Sequence, residues 1–172
     1  MKSKSIIICG LFAAVLTVTS WISVPFAVPF TMQTFGIFCA LLVLGGRLGT
    51  AVVSVYILLG AFGLPVFAGF QGGIGIIVSP LGGFILGFLL IGIVYLVVTS
   101  VWGEGTCIKI IGISAGLAAC YIAGTIWYMM FIDGMDFSSA FAVCVIPFII
   151  PDIVKILLAV YVSNRIKSRV RP

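Results

Sequence analysis

The segment Phe148-Ile-Ile-Pro-Asp152-Ile-Val-Lys155-Ile-Leu-Leu-Ala-Val160 sets a carboxylate and an ammonium three residues apart in an otherwise apolar stretch. On a helix, that spacing puts both side chains on one face. An ionisable group at membrane depth costs about 2.5–3.5 kcal/mol on insertion scales, so such groups face a cavity or one another and mark functional sites. A carboxylate accepts hydrogen bonds from N–H groups, and an ammonium donates to carbonyl or carboxylate oxygens. Asp152 and Lys155 together could clasp a polar guest. The plainer alternative is a structural ion pair, with Pro151 at the first helical position and Asp152 in the first turn, where the helix dipole favours a carboxylate. That alternative leaves Lys155 unexplained.

A second candidate is the glycine-rich run from Gly63 through Gln71-Gly72-Gly73 to Gly83-Phe84. It is no phosphate cradle, because it lacks GxxxxGK[ST] and has no Lys or Arg nearby. Gly72, Gly73 and their neighbours instead allow a tight backbone that can close over a small ligand. Phe67, Phe70 and Phe84 offer faces to an apolar ring, and Gln71 is a polar group with no evident packing role. Helix–helix packing through small residues accounts equally well for Gly82-Gly83 and Gly87.

Much chemistry is excluded. The chain has no histidine, which removes His-ligated zinc, Ser-His intramembrane proteolysis and most general-base schemes. The five cysteines sit in apolar contexts without CxxC spacing, as small buried residues do. The net charge of +5 does not signal nucleic acid, because no groove of interleaved basic and aromatic residues exists. No catalytic residue, metal or cofactor is expected.

The elements that must position these residues are membrane helices. Charged residues are 8% and hydrophobic residues 63% of the 172, with mean hydropathy +1.40. A soluble domain carries about 25% charged residues. The chain is therefore expected to be an integral membrane protein of one domain, long enough for about six or seven spans. The predicted helices run over about 5–23, 31–44, 48–62, 80–101, 107–131 and 151–166, with breaks at Pro25 and Pro29, Gly45-Gly46, the glycine-rich loop, Trp102-Gly103-Glu104-Gly105 and Asp133-Gly134-Met135-Asp136. A short helix over 138–146 is expected not to cross. Lys2 and Lys4 before an apolar run also fit a signal peptide, but no convincing small-residue cleavage site follows, which favours a retained first span.

With about six crossings, Lys2, Lys4, Arg47, Lys109, Arg165, Lys167, Arg169 and Arg171 fall on one side, while the other receives Asp133 and Asp136. The positive-inside rule then makes both termini cytoplasmic. The glycine-rich loop and the entry of the last helix share the outer face, a site open to the exterior. In the first helix, Gly10 and Ala14 have the small-xxx-small spacing that lets another helix approach closely.

Taken in order, Val28-Pro-Phe-Thr31-Met-Gln33-Thr-Phe, Leu44-Gly-Gly-Arg47-Leu-Gly, Gly60-Ala-Phe-Gly63-Leu-Pro65-Val-Phe-Ala-Gly69, Ser79-Pro80-Leu-Gly-Gly83-Phe and Pro151-Asp152-Ile-Val-Lys155 resemble the BioY family, the biotin-specific S components of energy-coupling factor (ECF) transporters. The resemblance covers essentially the whole chain. It implies an all-α, six-helix S-component bundle in the plasma membrane with an external glycine-rich loop. It also implies biotin as ligand, held by Asp152 and Lys155 of the last helix with Gln71 of the loop contributing. A transmembrane coupling subunit (T component) and two ATP-binding cassette ATPases would be separate partners, with Gly10 and Ala14 facing the coupling subunit. Three positions depart from the family's common pattern. Ala68-Gly69-Phe70 stands where Ala-Gly-Gly is frequent. Ser79-Pro80-Leu81-Gly82-Gly83-Phe84 stands for Gly-Pro-Thr-Gly-Gly-Tyr, with two hydroxyls fewer. Pro151 directly precedes Asp152, where Gly is often found.

Biotin's chemistry fits these residues: a flat ureido group with N–H donors and a carbonyl, an apolar thioether ring, and a carboxylate. Two competing readings stay open on the sequence: an S component for another vitamin, and a structural or channel-forming membrane protein in which Asp152 and Lys155 only pack together.

Overall fold

A computed structural model describes residues 3–170, with side chains over 5–166. The basic flanks Lys2 and Arg171, and the side chains of Lys4, Lys167 and Arg169, lie outside the described residues. The chain runs α1 (Ser3–Trp21), β1 (Ser23–Val24), β2 (Phe30–Thr31), α2 (Gln33–Ala61), a 3-10 turn (Ala68–Phe70), α3 (Ile74–Ile77), α4 (Gly82–Trp102), α5 (Thr106–Met129), α6 (Phe137–Cys144) and α7 (Ile146–Val170).

Long apolar stretches become helices because a bilayer core offers backbone groups no partner except each other. By length and composition, Gln33–Ala61, Gly82–Trp102, Thr106–Met129 and Phe137–Ile166 can each cross a membrane, and Ser5–Trp21 is a shorter apolar helix. The protein is a multi-pass membrane protein. Two of those stretches are composite. The last joins α6 to α7 through Val145, which is not helical. The first folds back on itself at Gly45, which takes φ 81° and ψ 171°, a conformation essentially reserved for glycine. Gln33 and Tyr56 are consequently hydrogen-bonded at 2.7 Å, whereas a continuous helix would hold them about 35 Å apart. The two spans expected on either side of Gly45-Gly46 are thus present as a helical hairpin.

Close approach of helices relies on small residues. A Cβ on Gly87 would lie 2.7 Å from Cys120 Sγ, and one on Gly116 would lie 2.7 Å from the Ile91 backbone. α4 and α5 therefore pack backbone to backbone along their length, and Gly87 serves helix packing as expected. The core between α2, α4 and α5 is filled by Phe38, Tyr56, Ile91, Tyr95 and Ile113, all essentially sealed from solvent.

Three boundaries differ from the sequence-based expectation. Pro25 and Pro29 end α1 as expected, but the link to α2 is a β-hairpin pairing Ser23 with Thr31 and Val24 with Phe30. The glycine-rich loop contains the 3-10 turn and α3, and α4 begins at Gly82 instead of Pro80. The last helix begins at Ile146, not Pro151. Pro147 falls in the first turn, where its missing N–H has no partner to lose, and Pro151 forfeits only the bond to the Pro147 carbonyl. Asp152 therefore sits beyond the first turn, out of reach of the helix-start N–H groups that would have made it a structural cap.

Candidate functional site

Asp152 and Lys155 on α7 point inward, 2% and 4% exposed, into a cavity of about 90 Å³. Their salt bridge is 2.8 Å long. A buried ion pair persists only when further hydrogen bonds satisfy its remaining lone pairs and protons, and here they do. Lys155 Nζ donates to the Thr31 carbonyl at 2.7 Å, to Thr34 Oγ1 at 3.1 Å and to Asp152 Oδ1 at 2.8 Å, which uses all three ammonium protons. It also lies 4.4 Å from the centre of the Phe30 ring. Thr34 donates to Asp152 Oδ1 at 2.9 Å, and Tyr121 donates to Asp152 Oδ2 at 2.5 Å. The β-hairpin and the first turn of α2 thus deliver Thr31 and Thr34 from one side, and α5 delivers Tyr121 from the other.

Opposite this polar wall the cavity is apolar, with Phe67, Ile76, Phe84, Phe88 and Leu117 on it. Two of these rings are seated by glycines. A Cβ on Gly60 would overlap the Phe67 ring, and one on Gly124 would overlap the Phe84 ring. Phe67 also meets Tyr56 edge-on, with centroids 5.6 Å apart.

Gln71 lies on the loop side of the cavity, exposed, and its backbone carbonyl accepts from Phe67 N–H at 2.9 Å. Gly72 and Gly73 are not among the lining residues. Gly72 backs onto the Leu64 carbonyl. Gly73 takes φ 98° and donates its N–H to the Gly60 carbonyl at 2.7 Å. Both glycines shape the loop without facing the cavity. The loop's ends are tied down by indoles: Trp21 Nε1 donates to the Pro65 carbonyl at 2.8 Å and Trp127 Nε1 to the Ser79 carbonyl at 2.9 Å. Phe70, where the family pattern often has glycine, keeps the left-handed backbone that glycine would take, φ 59°, and lays its ring on Trp21 with centroids 4.8 Å apart. Gly10 and Ala14 stand on the exposed face of α1, with nothing near a Cβ placed on Gly10.

Thr31, Gln33, Thr34 and Tyr121 line the cavity without having been singled out by chemistry in the sequence. The first three left a signal, a polar cluster opening an apolar helix. Tyr121 left none, because a tyrosine within an apolar helix reads as ordinary core. Among the cysteines, Cys39, Cys120 and Cys144 are buried and Cys107 is exposed. Cys120 and Cys144 also reach the cavity wall. Among the described residues, no group of three or more potential metal ligands gathers. The arrangement offers a charged, hydrogen-bonding wall facing aromatic and aliphatic surface, which suits an uncleaved small molecule with a polar planar part and an apolar part.

The whole chain, residues 1–172, matches the model of the BioY family. It is 39% identical over 170 residues to a probable biotin transporter BioY of Pyrococcus horikoshii, covering 98% of this chain and 99% of that protein. It is 36% identical to the biotin transporter BioY of Thermotoga maritima, over 96% of each chain. The fold matches a crystal structure described as the S-component for biotin from an ECF-type ABC transporter, with TM-score 0.87 over 98% of this chain and 95% of that one, at 22% identity.

Proposed function

Because this chain belongs to the BioY family, we propose that it is the biotin-capturing S component of an ECF-type uptake transporter. Relatives of nearly equal length are named biotin transporters, and a protein of the same fold is described as a biotin S-component. The observation that carries the reading in this chain is the buried Asp152–Lys155 pair opening onto a cavity with aromatic walls. An ion pair needed only for packing would have no open volume beside it.

The ligand is held between the glycine-rich loop and α7, with Asp152 and Gln71 on its polar groups, Lys155 exchanging one of its three present acceptors for a ligand oxygen, and Phe67 and Phe84 on its ring. Gly72 and Gly73 keep the loop's shape. The protein catalyses no reaction. ATP is hydrolysed by two separate ATP-binding cassette subunits, and a transmembrane coupling subunit docks on α1 around Gly10 and Ala14. The distribution of Lys and Arg supports a plasma-membrane topology with both termini cytoplasmic and the loop outside.

The test is calorimetry and mass spectrometry of the detergent-purified protein. Wild type should retain biotin in preference to riboflavin or thiamine, and Asp152→Asn or Lys155→Ala should abolish retention while expression persists. Unchanged affinity in both variants, or retention of a different vitamin, would defeat the reading.

A further inference from the structure

The cavity contains a polar side chain whose orientation is fixed from behind. Gln33, 4% exposed, lines the cavity at the start of α2. Its backbone N–H donates to Thr31 Oγ1 at 3.2 Å. Its side-chain amide faces Tyr56 Oη at 2.7 Å, and Tyr56 Oη lies 2.8 Å from the Val66 carbonyl oxygen. A carbonyl oxygen only accepts, so the single phenolic proton of Tyr56 points at Val66. Tyr56 Oη must then accept from Gln33, and the group it faces must be the NH2 end of the amide. Ser20 Oγ on α1 also lies 2.5 Å from the Val66 carbonyl, its single proton shared between that oxygen and the Thr17 carbonyl at 2.7 Å.

Fixing the NH2 end fixes the other. Among the described residues the Gln33 side chain bonds only through its amide nitrogen, so the carboxamide oxygen of this nine-tenths buried residue has no protein partner. That oxygen keeps accessible surface on the cavity wall and is free to accept from a ligand. Asp152 is differently placed, since Oδ1 already accepts from Thr34 and Lys155 and Oδ2 from Tyr121.

We propose that Gln33 is a specificity-determining residue whose carboxamide oxygen accepts a hydrogen bond from an N–H of the ligand, with Tyr56 as the positioning residue that holds the amide in that orientation. The requirement is for a cyclic urea or amide N–H, which rests on the biotin reading and narrows it to one ureido nitrogen. A site built to hydrogen-bond an N–H rejects the analogue lacking it, because its own acceptor is left unpaired.

The experiment measures affinities of purified wild type, Gln33→Met and Tyr56→Phe for biotin and for the two lactam analogues in which one ureido N–H is replaced by CH2. Biotin affinity should fall about tenfold or more in Gln33→Met. The analogue lacking the relevant N–H should bind wild type and Gln33→Met equally, while the other analogue should follow biotin. Tyr56→Phe should show a smaller loss with the same ligand dependence, and it keeps the test open should Gln33→Met fail to fold. Undiminished biotin affinity, or an equal loss for all three ligands, overturns the assignment of Gln33 and leaves biotin as the ligand. Failure of wild type to bind biotin at all rejects the parent reading, and this assignment with it.

Discussion

Tyr121 on α5 donates its phenolic proton to Asp152 Oδ2 on α7 at 2.5 Å, while Oδ1 of the same carboxylate serves Thr34 and Lys155. The phenol gives Oδ2 a partner where the membrane interior would otherwise penalise the charge heavily, and the carboxylate keeps one acceptor site for a guest. It also ties α5 to α7 at the depth of the cavity.

Tyr121→Phe keeps the ring and removes only that proton. A hydrogen bond to a charged group contributes about 1.5–3 kcal/mol, so the variant should melt lower by a corresponding amount and bind biotin about tenfold more weakly. Thermal melts with and without biotin check both; an unchanged melting temperature would mean water replaces the phenol.

Lys155→Met leaves the Asp152 carboxylate buried without its counter-charge, which should cost about 3–5 kcal/mol. Replacing both, as Asp152→Leu with Lys155→Met, should restore stability to near wild type, since apolar substitutes for a buried pair are often neutral or better. Biotin retention should be absent from the double variant. Retention there would show that the pair only packs.

Phe70 holds a left-handed backbone at φ 59°, at a cost of about 1–2 kcal/mol, offset by about 0.5–1.5 kcal/mol of stacking on Trp21. Phe70→Gly should therefore be close to neutral in a thermal melt. Phe70→Ala, which keeps the strain and loses the stacking, should be the least stable of the three.

Gly45→Ala puts a Cβ on a backbone at φ 81° and ψ 171°. It should destabilise the protein by about 1–3 kcal/mol, read as a lower melting temperature, by opposing the reversal that brings Gln33 beside Tyr56.

Gly10→Leu fills open space on α1. The isolated protein should keep its stability and its biotin affinity, whereas co-purification with the coupling subunit should drop. Intact complex formation would remove α1 as the docking face.

The spans and their breaks are legible because hydropathy is additive along the chain. Each long apolar run has to form a helix, and Gly45-Gly46 and Trp102-Gly103-Glu104-Gly105 have to turn. The start of the last helix is not legible in the same way, because Pro151 has the signature of a first helical residue. Pro147 and Phe148 have already begun the helix, and membrane helices tolerate an internal proline.

Asp152 and Lys155 identify themselves, because an acid and a base i, i+3 apart in an apolar helix must meet each other or a guest. Which groups complete their bonding is not written in any local pattern. Thr34 is 118 residues from Asp152 and Tyr121 is 31, and neither spacing leaves a trace along the chain. The sequence by itself determined a bundle of membrane helices carrying one buried pair of charges. Only the tertiary structure decided that Tyr121, Thr31 and Thr34 gather around the pair and that Tyr56 meets the Gln33 amide nitrogen at the cavity wall. Hydrogen-bond direction depends on atoms brought within about 3 Å by packing, and no one-dimensional pattern encodes that distance.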